Sequence, residues 1–257
     1  MARVDSGEMP FLDHLEELRW RLVWSLGALA IGFGLGWWLL TSTDIFRLLE
    51  QPIAPFLHGK KLVYTHPADT FRILMSGALA VGTVLALPVI VYQVWAFLSP
   101  ALHKHEKRVV IPVLVAGTGL FACGVVLCFK VILPLTLGVL LSIQSDYIEP
   151  MITVQEYFDF AITFCLGMGA VFELPIVIVA LTALGVVTPA FLNKFRRHAV
   201  VLCLVGAAFI TPGADPFSLF ALAVPLYLLY EVSVAASYVI YRRRMRHVAA
   251  AGIGASA

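Results

Sequence analysis

Three carboxylates in unusual company are the residues of this sequence with chemistry to offer. Glu106 sits in the basic stretch "ALHKHEKR", residues 101–108, flanked by Lys104, His105, Lys107 and Arg108. Glu17 sits in "FLDHLEELRWRL", residues 11–22, just ahead of a long apolar run. Glu173 interrupts another apolar run, "GMGAVFELPIVIVA". Two carboxylates on one surface suit a ligand with two guanidinium groups, because each accepts a two-point fork from Arg that Lys cannot reproduce. The plainer readings are local. Glu106 pairs with Lys104 or Arg108, and Glu17 pairs with Arg21 one helical turn on. Glu173 poses a different problem, since a charge deep in a span costs about 2.5–3.5 kcal/mol on insertion scales unless it is partnered. A hydrogen bond within the bundle, a protonated acid, a proton relay and a docking point for a polar residue on a partner helix all stay open. Pro175, which follows closely, frees a backbone carbonyl and predicts a kinked span with a concave surface.

The elements that must position these groups are apolar helices. The chain has 257 residues, of which 60% are hydrophobic and 13% charged. Water-soluble domains run nearer half apolar and a quarter charged, so the composition predicts an all-α integral membrane protein. A net charge of +2 gives no sign of nucleic acid as a partner. Apolar runs place six spans, at about 22–40, 73–97, 109–143, 158–187, 198–210 and 217–241. The last two read as short, joined by the turn "TPGADP", residues 211–216. Domain organisation follows: an amphipathic leader over 1–21, a six-span domain over 22–241 with an outer cap loop at 41–70, and a tail over 242–257 whose small residues predict disorder. The leader lacks a small-residue cleavage site, so no cleavable signal peptide is expected.

Lys and Arg set the orientation. They gather in the leader (Arg3, Arg19, Arg21), after span two (Lys104, Lys107, Arg108), after span four (Lys194, Arg196, Arg197) and in the tail (Arg242, Arg243, Arg244, Arg246). Both termini are therefore expected in the cytoplasm. In the leader, Phe11, Leu15, Leu18 and Leu22 form one apolar stripe, with Asp13, Glu17 and Arg21 opposite and Glu16 and Arg19 at the edges. Its acids run against the basic character that anionic lipid usually selects. In the cap, "DIFRLLEQPIAPFL" reads as a short amphipathic helix stopped by proline. Asp215 reads as the cap of the sixth span, with Pro216 at its first position. Lys130 reads as a snorkelling group, and Glu231 as a snorkelling or bundle-pairing one. The four cysteines, Cys123, Cys128, Cys165 and Cys203, lie in apolar runs without metal-ligand company. The histidines are scattered, so no enzyme active site, metal or cofactor is expected.

Four stretches resemble the TatC family, the multispanning subunit of the twin-arginine (Sec-independent) protein translocase. They are "FLDHLEELRWRL" (11–22), "YQVWAFLSPALHKHEKR" (92–108), "FELPIVI" (172–178) and "TPGADPFS" (211–218). The resemblance covers nearly the whole chain. It implies a protein of the cytoplasmic membrane that recognises Arg-Arg signal peptides of folded cargo. It further implies an oligomeric complex with single-span TatA and TatB subunits, and the proton gradient as the energy source. Carried over by motif, the signal-recognition positions are Glu17, Arg19, Phe97 and Glu106. Glu173 matches the intramembrane acid, Pro52 an outer-loop proline, and Asp215 the turn acid with one extra residue ahead of it. Leu219 stands where some relatives carry Gln, which puts partner contacts at the last hairpin in question. From Glu173 and the kink alone, the alternative is an ion-coupled small-solute transporter, although no repeat between the halves is evident. A structural scaffold would leave the cytoplasmic acids without a purpose.

Overall fold

The computed structural model describes residues 11–57, 59, 61–98, 110–143, 151–183, 185–211 and 215–254. Glu106 lies outside them. Long helices carry nearly all of the rest: α1 (Phe11–Ser42), α2 (Ile45–Leu49), α3 (Asp69–Leu98), α4 (Val110–Leu127), α5 (Leu133–Ser142), α6 (Val154–Phe172), α7 (Leu174–Ala183), α8 (Pro189–Ile210) and α9 (Pro216–Gly254). Among the described residues, five stretches are long and apolar enough to cross a membrane: Leu15–Ser42, Asp69–Phe97, Leu114–Ser142, Val154–Ala183 and Pro216–Arg242.

Leader and first span form one unbroken helix, α1. Exposed Trp20 and Trp38 mark its two ends, about 27 Å apart at about 1.5 Å per residue, which suits aromatic belts at two membrane surfaces. The helix stops where Thr41 and Ser42 turn their hydroxyls back onto the carbonyls of Trp37 and Trp38. These bonds occupy acceptors that the helix end leaves open. α1 runs antiparallel to α3, and glycines bring the backbones together. A Cβ on Gly82 would lie 2.6 Å from the Phe33 nitrogen and 2.7 Å from the Gly32 carbonyl carbon. Gly36 meets Ala78 as closely. This is the small-residue spacing that lets membrane helices touch along their backbones.

Prolines set the breaks. Between α4 and α5 the helix widens into a π-turn over Cys128–Ile132. Pro134, just beyond, lacks an N–H and its ring presses on the carbonyl four residues back, so the ladder relaxes by one residue. Pro175 acts likewise on the fourth span, where Glu173 occupies the break between α6 and α7. Gly185, at φ +79°, closes α7, with its N–H on the Thr182 carbonyl at 3.0 Å. Thr188 then caps α8, accepting from the Phe191 N–H at 3.2 Å, with Pro189 next to it.

Two sequence boundaries need correction. The fifth expected span, α8, starts at Pro189, not near 198, because Lys194, Arg196 and Arg197 lie on a capped helix and not in a loop. The sixth is not short. Glu231 does not interrupt it, since that carboxylate is paired, and the backbone stays helical to Gly254. Eight of the ten residues over 242–251 are Arg, Met or Ala, strong helix formers, so the segment expected to be disordered is helical that far.

The segment expected to form a cap is an ordered layer at one end of the bundle. α2 ends before Pro52, and both Pro52 and Ile53 are buried. The Tyr157 hydroxyl donates to the Leu49 carbonyl at 2.7 Å, tying α2 to α6. The backbones of Val63 and Thr153 form an isolated bridge. Asp69 accepts from the N–H groups of Thr65 and His66 at 3.0 and 2.8 Å. With its amide oriented to satisfy both neighbours, Gln155 donates to Asp69 at 2.9 Å and accepts from Arg72 at 3.0 Å. Beneath lies the main core, with Phe158, Phe164 and Met168 of α6 against Leu133 and Leu222.

Gly82→Leu is expected to destabilise the detergent-solubilised protein by about 1–3 kcal/mol or more, the cost of overpacking. Gly27→Ala, where a Cβ meets nothing within 4 Å, should stay within about 0.5 kcal/mol. Similar melting of the two variants would contradict a tight α1–α3 seam.

Candidate functional site

The α1–α3 seam carries the first candidate acid to its place. Its register sets Gly36 beside Ala78 and Gly32 beside Gly82. The same register continues to Arg21, whose Nη1 lies 3.4 Å from Gln93 Oε1. One further turn along both helices sets Glu17 level with Phe97. Both side chains are half-buried.

Glu17 already holds a guanidinium. Arg21 Nε donates to Glu17 Oε1 at 3.0 Å, and Arg21 Nη2 reaches the same oxygen. The pair follows the one-turn spacing read from sequence. Its second partner, Gln93, has no signature in the sequence around it, and only the seam's register brings it in. An amide inside an apolar span was the available clue. Arg19 is exposed on the same helix, as are Leu15, Leu18 and Leu22 of the apolar stripe. Trp95, next to this end of α3, is buried against Leu87, Val91, Phe121, Ile176 and Ala180. That cluster lies on the face of α3 turned away from Gln93, so it steadies α3 from behind. Whether Glu106 faces Glu17 lies outside the described residues.

Glu173 sits elsewhere around α3 but at a similar depth. A Cβ on Gly117 of α4 would lie 3.1 and 3.4 Å from the two Glu173 oxygens and 3.3 Å from Val91 of α3. Gly117 therefore makes the niche for this acid. Val91 and Gln93 are about 3 Å apart along the helix axis and about 200° apart around it, so the two acidic sites flank α3. Glu173 Oε1 and Thr118 Oγ1 are enclosed and have no hydrogen-bond partner among the described residues. An enclosed polar atom of this kind calls for an incoming donor or a proton of its own.

The last two helices share a polar seam. Arg196 Nη2 lies 2.8 Å from Glu231 Oε2. The Tyr227 hydroxyl donates to the other Glu231 oxygen at 2.9 Å. The Tyr230 hydroxyl donates to the Leu192 carbonyl at 2.7 Å, and Asn193 bonds Tyr238. Of the readings open for Glu231, bundle pairing is the one observed. At the other end of α9, Asp215 Oδ1 accepts from the Ser218 N–H at 2.7 Å. Pro52 is buried in the cap. Among the described residues no group of His, Cys, Asp and Glu is gathered that could hold a metal.

The model of the TatC family, described as Sec-independent protein translocase protein (TatC), matches residues 13–225. The chain belongs to the TatC family. It is therefore a multi-pass membrane component of the Sec-independent, twin-arginine translocase, and the solute-transporter alternative falls. A TatC protein of Koribacter versatilis is 35% identical over 242 residues, covering 93% of this chain and 88% of that one. One of Aquifex aeolicus is 37% identical over 228 residues, covering 88% and 93%. A crystal structure of the twin-arginine translocase receptor TatC superposes with a TM-score of 0.79 at 36% identity, covering 88% of this chain and 99% of that one. The α1–α3 seam, the broken fourth span and the cap thus belong to a chain whose overall fold is shared with that TatC structure.

The α8–α9 ion pair is half-exposed, with side-chain exposures of 49% and 30%. A double-mutant cycle with Arg196→Gln and Glu231→Gln, read by thermal unfolding, should give a coupling of about 0.2–1 kcal/mol. A coupling of several kcal/mol would show that the pair is sealed from solvent.

Proposed function

We propose that this TatC-family chain is the receptor for signal peptides bearing consecutive arginines, with Glu17 and Glu106 as the two guanidinium acceptors. The observation that carries the reading is the geometry at Glu17. A half-buried carboxylate, level with Phe97, already receives Arg21 through Nε and Nη2. A signal arginine needs the same kind of acceptor. Phe97 offers an apolar surface to the residues that follow the arginine pair, and Arg19 lies on the rim.

The receptor spans the cytoplasmic membrane six times, with α8 as a further crossing beside the five more apolar stretches. Both termini and the Glu17 end face the cytoplasm, where the Lys and Arg residues cluster. Pro52 and the cap then lie on the outer side. Glu173 serves single-span TatA- and TatB-type partners, its enclosed oxygen receiving a polar group from a partner helix. Asp215 holds the start of α9 in a shape those partners can meet. Several copies assemble, and the proton gradient drives transport of folded cargo.

A photoreactive group next to Glu106 tests recognition. Labelling of an Arg-Arg signal peptide should exceed that of a Lys-Lys peptide. Glu17→Ala and Glu106→Ala should each weaken binding by roughly tenfold to hundredfold, the worth of one charge-assisted hydrogen bond. Equal labelling of both peptides would remove the guanidinium-fork reading. For Glu173, export should survive Glu173→Gln better than Glu173→Ala, because the amide keeps hydrogen-bonding capacity. Equal loss in the two variants would point to ionisation as the necessary property.

A further inference from the structure

A crevice opens between α3 and α6 on the cap side of the span. It is lined by Leu49 of α2, Ala80, Val81 and Val84 of α3, Phe129 of the π-turn, and Ala161 among the α6 residues. It encloses about 560 Å³ including its open mouth, and its walls are wholly apolar. Lys130 stands at its edge. That side chain is exposed, and its Nζ lies 5.7 Å from the centroid of the Phe129 ring that forms part of the wall. The ion pairs among the described residues are Glu17–Arg21 and Arg196–Glu231, and neither involves Lys130.

We propose that this crevice holds one acyl chain of an anionic glycerophospholipid, whose phosphate is met by the Lys130 ammonium. Size argues for a chain over a helix. A helix about 10–12 Å across would use the whole space in roughly one 5.4 Å turn. Even counted with its open mouth, the space holds no more than that one turn. Wall chemistry argues against water, since a cavity without polar partners does not hold it. Left empty, the walls would forfeit dispersion contacts that methylenes restore. Charge selects the headgroup. A cation within a span needs an anion or a route to the surface. The Lys130 stem can extend toward the headgroup layer while its ring neighbour stays in the crevice. The π-turn makes the arrangement possible, because the loosened ladder before Pro134 turns Phe129 inward with Lys130 beside it on the exposed surface.

The test uses the purified full chain and two lipids with identical acyl chains, phosphatidylglycerol and phosphatidylcholine. Native mass spectrometry should show one phosphatidylglycerol retained about fivefold more strongly than phosphatidylcholine, the worth of one cation near an anionic headgroup. Lys130→Gln, an exposed change that leaves the core alone, should erase that preference, and Lys130→Arg should keep it. Filling the crevice with Ala161→Phe or Val81→Phe should reduce retention of both lipids several-fold. A phosphatidylglycerol with a photoreactive acyl chain should label the 80–84 and 161–166 segments. The proposal is overturned by a preference that survives Lys130→Gln, or by retention indifferent to both filling variants. It is equally overturned if a photoreactive group at Val84 in native membranes captures a partner's helix in place of lipid.

Discussion

Backbone contact between α1 and α3, through Gly32, Gly36, Ala78 and Gly82, is the constraint on which the placement of Glu17 depends. Inside a membrane no hydrophobic force draws two apolar helices together, so packing must do it. Glycines permit the approach, and any side chain at Gly82 would meet the α1 backbone. Such a contact fixes register as well as distance. Moving α1 by one residue along α3 would rotate it about 100° and separate Arg21 from Gln93. The register that sets Glu17 level with Phe97 is therefore a long-range consequence of glycines near the middle of the span.

The rest of the fold shows how polar groups are kept inside or beside a membrane. Glu17 is held by Arg21, and Glu231 by Arg196 and Tyr227. Asp69 is surrounded by backbone donors. Glu173 differs. Its niche is made by the absence of a side chain at Gly117, and one of its oxygens has no partner among the described residues. Enclosed polar atoms without a partner are costly, so each needs a physical cause. Here the helix is also broken, and Pro175 keeps it open beside the acid.

Much of this was legible in the sequence, for identifiable reasons. Long apolar runs show spans one to four, and prolines mark the cap and the broken helix, because those signals are local and additive. The Glu17–Arg21 pair is visible for the same reason. The start of α8 was misplaced because Lys194, Arg196 and Arg197 read as a loop. Their helix is stabilised by the Thr188 cap and by α9, and periodicity of apolar residues registers neither. α9 was cut short because Glu231 looked like an interruption until Arg196, distant in sequence, neutralised it. Gln93 was missed because its partner lies on another helix. Pro134 carried a readable signal for the π-turn, yet nothing local tells which side chains such a turn reorients.

The most direct test of the seam's role is a short bis-maleimide cross-link between cysteines at Glu17 and Phe97, in a protein whose native cysteines have been replaced. The account predicts rapid cross-linking of this pair, slow cross-linking of a pair one turn out of register at Glu17 and Gln93, and loss of the distinction when Gly82 is changed to Leu. A 17–97 pair that fails to cross-link, or one whose cross-linking ignores the change at Gly82, would contradict it.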